Sequence, residues 1–180
     1  MPNSTVPALK PKENLKELTE SDVQLQQVCF KLGDSEYGID IFHVREIIKP
    51  VENMTPVPQA PFFVEGVIDL RGDIIPILDL KKRFDLGKTE MGKSTRIIVV
   101  KLSGTSGASS GGGMIVGFLV DEVTEVVRIK KSETQPAPGK VMGIDSEYIW
   151  GVGKRAGTSG ASGRLIMFLD VEKMLLADGK

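Results

Sequence analysis

The feature that most constrains the fold of this chain is an internal repeat, in which glycines, apolar runs and acidic residues recur in the same order. Residues 38–44 and 117–123 each begin with glycine, end with valine and are followed two positions later by glutamate. Residues 63–82 are matched by 149–173 through a glycine, an arginine and an aspartate that follows an apolar run. Because neither copy is long enough to bury a large core alone, the repeat predicts two similar lobes packed on each other, with the groove between them as a candidate working surface.

The repeat also predicts the domain organisation. We expect a folded domain over residues 22–176, with a first copy over about 23–86, a linker over about 87–94 and a second copy over about 95–176. Residues 1–21 are rich in Pro, Lys and Glu and are predicted to form a flexible N-terminal tail. The sequence leaves open whether the two copies exchange strands across their boundary.

Two segments of the second copy differ in composition from the rest of the chain. Residues 104–113 and 157–163 share the hexapeptide Gly-Thr-Ser-Gly-Ala-Ser and replace tight turns of the first copy at 33–36 and 71–73. Such Gly/Ser-rich segments are predicted to be flexible loops. Because each doubling of a surface loop costs only about 0.6 kcal/mol, the lobe can carry them without losing its fold.

The apolar residues occur mostly in short runs of β-branched character, such as 97–100 and 165–169, separated by Gly, Pro and Asp. This pattern predicts mainly β-structure. In a duplicated unit of this length it favours two small barrels, because closure removes unpaired strand edges. Helices are predicted over residues 14–20, 42–49, the stretch after Asp79 and 170–177, and the last two begin at an aspartate that can cap free N–H groups.

The charge balance excludes one class of partner. The chain carries 23 basic and 24 acidic residues, whereas binding a phosphate backbone needs clustered Lys and Arg, so we expect no nucleic-acid partner. The densest basic run, Lys81-Lys82-Arg83, is predicted to be the solvated start of a helix. No apolar run approaches the roughly 20 residues that span a bilayer, and the N-terminal segment is polar. We therefore expect a cytoplasmic protein without direct membrane insertion.

The sequence predicts neither a catalytic site nor a metal site. His43 is the only histidine and Cys29 the only cysteine, which leaves no set of His or Cys ligands and no second thiol for a disulfide. Several aspartates recur at strand ends or helix starts in both copies, where turn and cap chemistry accounts for them. We expect no catalytic residue, no metal and no cofactor.

One nucleotide-binding motif is present. Residues 87–94, Gly-Lys-Thr-Glu-Met-Gly-Lys-Ser, match the spacing G-x-x-x-x-G-K-[ST]. That chemistry requires a strand directly before the loop and a helix directly after it, so that their N–H groups converge on the phosphates. A helix is predicted before this loop and a strand after it, which favours a polar linker. The alternative is a nucleotide-binding protein that uses Gly92, Lys93 and Ser94.

Three motifs carry a resemblance to a known family. They are Phe-x-Leu-Gly-x-x-x-Tyr-Gly-Ile-Asp-Ile-x-x-Val-Arg-Glu-Ile over residues 30–47, Phe-Val-Glu-Gly-Val-Ile-Asp-Leu-Arg-Gly-x-Ile-Ile-Pro-Ile-x-Asp-Leu over 63–80, and Gly-x-x-Val-Asp over 117–121. Together they resemble the CheW family of bacterial chemotaxis coupling proteins. The resemblance implies two small SH3-like, five-stranded β-barrels with a few short helices.

The same resemblance implies a function without catalysis. Proteins of this family are adaptors between the cytoplasmic tips of methyl-accepting transmembrane chemoreceptors and the regulatory domain of the histidine kinase CheA, in membrane-associated arrays. The residues that match the family's coupling positions are Val44, Glu46, Gly66 and Arg71. A scaffold of the same fold in a non-flagellar sensory or motility pathway is the alternative.

Each of these four residues also has a structural interpretation. Arg71 can offer a planar fork of donors to a partner, or it can be a turn residue that bonds its own hairpin. Val44 can add apolar area to an interface or pack in the core. Gly66 and Glu46 recur in the second copy, which favours a structural role for both, and for Gly66 this role is backbone geometry.

Overall fold

The protein is described here by a computed structural model, which covers residues 23–103, 112–139, 144–155 and 163–176. The tail expected over residues 1–21, with its helix over 14–20, lies outside the described residues. The same is true of residues 104–111 and 157–162 in the two Gly/Ser-rich segments.

Ten strands and two short α-helices form the described part of the chain. In chain order they are β1 (Gln24–Leu32), β2 (Ser35–Asp40), β3 (Val44–Ile48), β4 (Val64–Leu70), β5 (Asp73–Asp79), α1 (Leu80–Arg83), β6 (Arg96–Lys101), β7 (Ile115–Val120), β8 (Glu122–Lys130), β9 (Ile149–Lys154), β10 (Leu165–Leu169) and α2 (Val171–Leu176). Single turns of 3-10 helix occupy Ile41–His43, Lys131–Glu133 and Ser146–Tyr148.

The strands form two five-stranded sheets. Lobe 1 has the order β3-β6-β7-β5-β4, and lobe 2 has the order β8-β1-β2-β10-β9. Neighbours are antiparallel except β5 beside β7 and β10 beside β2, which run parallel. The predicted fold class, mainly β with two small SH3-like five-stranded units and a few short helices, is confirmed.

The boundary between the repeats is not the boundary between the lobes. The first copy supplies β1 and β2 to lobe 2 and β3 to β5 to lobe 1, while the second copy supplies β6 and β7 to lobe 1 and β8 to β10 to lobe 2. The division expected at about residues 23–86 and 95–176 therefore describes the repeats but not the sheets. The chain changes lobes twice, at Ile41–His43 between β2 and β3 and at Asp121 between β7 and β8.

The exchange creates a core between the two sheets as well as a core inside each lobe. Successive side chains of a central strand point to different cores. In β6, Ile98 and Val100 pack in the core between the sheets, whereas Ile97 and Val99 pack in the core inside lobe 1. A strand that is buried on both faces has a continuous apolar run, which explains residues 97–100 and, after the exposed Leu165, residues 166–169.

Two glycines of the repeat serve the parallel strand pairs. Gly38 of β2 lies opposite Phe168 of β10, and Gly117 of β7 lies opposite Ile77 of β5. A Cβ at Gly38 would come within 2.9 Å of the Phe168 ring, and one at Gly117 within 2.5 Å of the Ile77 side chain. The two copies therefore share these glycines because large core side chains fill the space above each of them.

The helix predicted over residues 42–49 is wrong. A single 3-10 turn ends at His43, and Val44–Ile48 is strand β3, paired antiparallel with β6. The valine and isoleucines of this segment suit a pleated surface, and pairing with β6 outweighs the helical spacing. The helices predicted after Asp79 and from Asp170 are confirmed as α1 and α2. Asp79 accepts hydrogen bonds from the N–H groups of Lys81 and Lys82, and Asp170 accepts one from the N–H of Lys173.

Candidate functional site

The four residues predicted as coupling positions all lie in lobe 1. Val44 and Glu46 belong to β3, Gly66 to β4, and Arg71 to the turn between β4 and β5. Although β3 and β4 are at opposite ends of the sheet order, the β4–β5 turn comes back to β3. The structure thus brings Glu46 and Arg71 into contact. Val44 is half-buried and packs against the core between the sheets.

Arg71 and Glu46 form a two-pronged ion pair. The two guanidinium nitrogens Nη1 and Nη2 of Arg71 donate to Oε1 and Oε2 of Glu46 at 3.3 and 3.1 Å. The Arg71 side chain is 70% exposed, whereas that of Glu46 is 20% exposed. The turn has a positive φ of 54° at Arg71 and 90° at Gly72, and the Gly72 N–H donates to the Asp69 carboxylate. A bidentate pair of this kind fixes the direction of the guanidinium plane.

A β-bulge supports a second ion pair beside the first. Val44 pairs with Val100 and Glu46 with Val99, so Arg45 is an additional residue in β3. Its guanidinium donates to the Asp73 carboxylate at 3.0 Å. Bulges re-aim side chains at sheet edges. Both ion pairs therefore connect the edge strand β3 to the β4–β5 hairpin.

Gly66 allows a crossing segment to lie directly on β4. Thr55 and Val67 exchange backbone hydrogen bonds of 2.8 and 3.0 Å, which places the chain before β4 against that strand. A Cβ at Gly66 would stand 2.6 Å from the Thr55 carbonyl oxygen, and the φ of Gly66 is +153°. Only glycine fits this backbone without strain.

The same arrangement recurs in lobe 2. Glu125 of β8 forms an ion pair with Arg155, which follows β9, and Arg155 also lies 3.6 Å from the buried carboxylate of Glu36. Gln135 exchanges backbone hydrogen bonds with Val152 much as Thr55 does with Val67 in lobe 1. The repeat supports a structural contribution of the glutamate–arginine pair in both lobes. The Arg71 side chain is 70% exposed, whereas that of Arg155 is 39% exposed. Only the pair in lobe 1 therefore leaves its arginine largely exposed.

The prediction that the Lys81-Lys82-Arg83 run is solvated is wrong. Lys81 pairs with Asp121 at 3.2 Å, and Lys82 pairs with Glu65. The Arg83 guanidinium lies 4.9 Å from the centre of the Phe63 ring and 5.1 Å from that of Tyr148. Because Phe63 directly precedes β4 of lobe 1 and Tyr148 directly precedes β9 of lobe 2, Arg83 contacts both lobes. The sequence of the basic run does not indicate these partners, because they lie in distant parts of the chain.

The nucleotide-binding motif over residues 87–94 lacks the required context. It follows helix α1 and a short connection, and β6 begins two residues after it. Two of its backbone donors are already engaged, because the Thr89 N–H donates to Asp79 at 2.7 Å and the Gly92 N–H to the Thr95 hydroxyl at 2.8 Å. The Thr89 N–H and hydroxyl thus donate to a carboxylate of the chain itself, so neither is available to a phosphate. The geometry favours the predicted linker.

Cys29 is a core side chain. It is fully buried with Ile129, Ile166 and Phe168 inside lobe 2. Burial, with smaller contributions from the carboxylates of Glu36 and Glu125, raises the pKa of its thiol to about 12. Within the described ranges no three His, Cys, Asp or Glu residues come together as metal ligands, and none of the helices is long and apolar enough to cross a membrane.

Comparisons with known proteins agree with this architecture. The family model for the CheW-like domain matches residues 26–178. The chain is 33% identical to the chemotaxis protein CheW of Helicobacter pylori, over 88% of this chain and 86% of that protein. It is 36% identical to CheW of Treponema pallidum, over 86% and 84%.

A solved structure gives the same result for the fold. The crystal structure of the scaffolding protein TtCheW from Thermoanaerobacter tengcongensis matches with a TM-score of 0.71 and 35% identity, covering 88% of this chain and 92% of that one. The family model, the sequence relatives and the fold thus point the same way, and the chain belongs to the CheW family.

Proposed function

We propose that this protein is a non-catalytic adaptor that couples transmembrane chemoreceptors to a CheA-type histidine kinase in bacterial chemotaxis. Membership of the CheW family supports the proposal, since relatives carry the name chemotaxis protein and a solved relative is described as a scaffolding protein. The partners would be the regulatory domain of the kinase and the cytoplasmic tip of the receptor. The protein would then act in the cytoplasm, within membrane-associated receptor arrays.

The observation that carries the proposal is the exposed ion pair at the β4–β5 turn. Glu46 holds one edge of the Arg71 guanidinium, and the remaining N–H donors stay available to a carboxylate or a helix end of a partner. The group is already oriented, so a partner gains the contact without the full cost of ordering a free arginine. Val44 and Gly66 support this surface by anchoring β3 and by seating the segment that crosses β4.

Exchanging the charges of Arg71 and Glu46 tests whether the pair binds a partner or only stabilises the fold. We expect Arg71→Glu to keep the fold, because an exposed ion pair contributes only about 0–1 kcal/mol. We expect it to weaken receptor coupling by about tenfold or more, since a charge-assisted contact is replaced by repulsion. The double variant Arg71→Glu/Glu46→Arg restores the pair with its charges exchanged, and it should stay defective because position 71 no longer presents a guanidinium. Calorimetric titration with a kinase regulatory domain, with and without a receptor-tip fragment, measures both variants.

The neighbouring pair provides the control. Arg45→Asp/Asp73→Arg exchanges the charges of an ion pair of similar length in the same strand and hairpin, and it should couple normally. Recovery of coupling in the Arg71→Glu/Glu46→Arg variant would show that the pair only connects β3 to the β4–β5 hairpin and does not bind a partner. Failure of the wild-type protein to bind any kinase or receptor fragment would refute the adaptor function. Saturable ATP binding that Lys93→Ala abolishes would instead favour a nucleotide-binding protein.

A further inference from the structure

An open groove lies where the end of β3 meets the linker that precedes β6. It has a volume of about 610 Å³ and is lined by residues from 49–52, from 91–93 and by Arg96. The last paired residues of β3 and β6 are Ile48 and Ile97, so Lys49 and Arg96 follow side by side. We call this feature the linker groove.

Three cations converge on the linker groove. Lys49, Lys93 and Arg96 line it, and Glu52 is the only acidic residue among the lining residues. In the described part of the chain neither lysine forms an ion pair, and Arg96 donates to the carbonyl oxygens of Lys93 and Thr95 at 2.7 Å each. Like charges on adjacent strands repel each other. An anionic partner would relieve this repulsion.

The lining of the groove also contains apolar side chains. Val51 is 38% exposed and Met91 is 57% exposed, and both face the groove beside Pro50. Methionine adapts its shape to a varied partner surface. A free phosphate or a nucleotide phosphate gains nothing from these side chains, and the Gly92 N–H that could bind it donates to Thr95. A protein segment uses both the cations and the apolar surface.

We propose that the linker groove binds an acidic, partly apolar segment of a protein partner. The inference rests on the proposed adaptor function, because that function supplies the partner proteins. It adds a contact surface of lobe 1 that none of the residues Val44, Glu46, Gly66 and Arg71 lines. The carboxylates of the segment meet Lys49, Lys93 and Arg96, and an apolar side chain covers Val51 and Met91.

A matched pair of charge reversals tests the inference. Lys49→Glu/Lys93→Glu reverses two lysines of the groove, and Lys88→Glu/Lys101→Glu makes the same charge change at exposed lysines outside it. We expect the groove variant to bind the kinase regulatory domain or the receptor-tip fragment about tenfold or more weakly, with a smaller salt dependence than the wild type. The control should stay within about twofold, because neither of its lysines lines the groove and exposed charges are screened by salt. Met91→Ser tests the apolar contact and should weaken the same complex.

The outcomes separate this inference from the proposed function. If the wild-type protein binds its partners and the groove variant behaves like the control, the linker groove is not a docking surface and the adaptor function stands. If the wild-type protein binds neither fragment, the adaptor function and this inference both fail. If tripolyphosphate binds the wild type saturably, displaces the protein partner and loses its affinity in the groove variant, the groove is a phosphate site and the inference is overturned.

Discussion

Gly66 shows how much one residue decides in this fold. Its φ of +153° is rarely adopted by residues with a side chain, and the Thr55 carbonyl oxygen occupies the place of a Cβ. The sequence predicted a backbone role because Gly151 repeats Gly66, and the contact with Thr55 supplies the reason. Gly151 is less crowded, since a Cβ there would stand 3.5 Å from Gln135 and Thr134.

We expect Gly66→Ala to lower the free energy of unfolding by about 1–3 kcal/mol, the usual cost of a strained backbone position. Urea unfolding followed by circular dichroism measures the change. Gly92→Ala is the control, because a Cβ at Gly92 would come no closer than 3.9 Å to its neighbour, and this variant should unfold like the wild type. Equal stability of the two variants would show that the crossing segment moves away freely.

Cys29 makes the stability depend on alkaline pH. Its thiol has an ordinary pKa of 9.0, and burial raises the pKa to about 12 in the folded protein. Between these values the unfolded chain loses a proton that the folded chain keeps, so stability falls as pH rises. We expect the wild type to lose stability more steeply than Cys29→Ala between about pH 9 and pH 12. If the free energy of unfolding fell equally with pH in the two proteins across this range, the result would contradict the burial of the thiol.

Among the elements, α1 is short but connects more of the molecule than its four residues suggest. Each of its basic side chains has a different partner: Lys81 contacts the β7–β8 connection, Lys82 contacts β4, and Arg83 lies between two aromatic rings. The sequence predicted the helix and its Asp79 cap, because both are local. It did not predict these partners, which lie in other parts of the chain.

We expect Arg83→Ala to lower the free energy of unfolding by about 1–2 kcal/mol, since the cation loses its contacts with Phe63 and Tyr148. Arg83→Met keeps an apolar stem between the rings and should fall between Arg83→Ala and the wild type. Urea unfolding again measures the difference. Lys88→Ala, at an exposed lysine after α1, is the control. If Arg83→Ala were as stable as that control, the contact with the rings would contribute nothing to stability.

At the scale of the whole molecule, strand exchange makes the two copies interdependent. Each sheet combines two strands of one copy with three of the other, and the core between the sheets uses side chains from both. An isolated copy would expose both that core and two incomplete sheets. A chain of about 90 residues has little stability to spare for such losses.

We expect fragments 1–91 and 92–180 to show no cooperative urea transition when they are refolded separately. Mixing them should restore one, because each supplies the strands that the other lacks. Circular dichroism during urea titration measures both cases. Full-length protein cut at the same bond after folding is the control and should keep its transition. A cooperative transition in either fragment alone would show that one copy closes a lobe by itself.

The sequence by itself determined the number of lobes, most of the strands and the two aspartate-capped helices. These features follow from local spacing and from the repeat. It failed over residues 42–49, where pairing with β6 decided the structure. It found Glu46 and Arg71 as separate positions, and only the tertiary structure joined them, across 25 residues of chain. Strand exchange, the partners of α1 and the linker groove were also decided by the tertiary structure, because they depend on which distant segments share a sheet, and no local pattern encodes that.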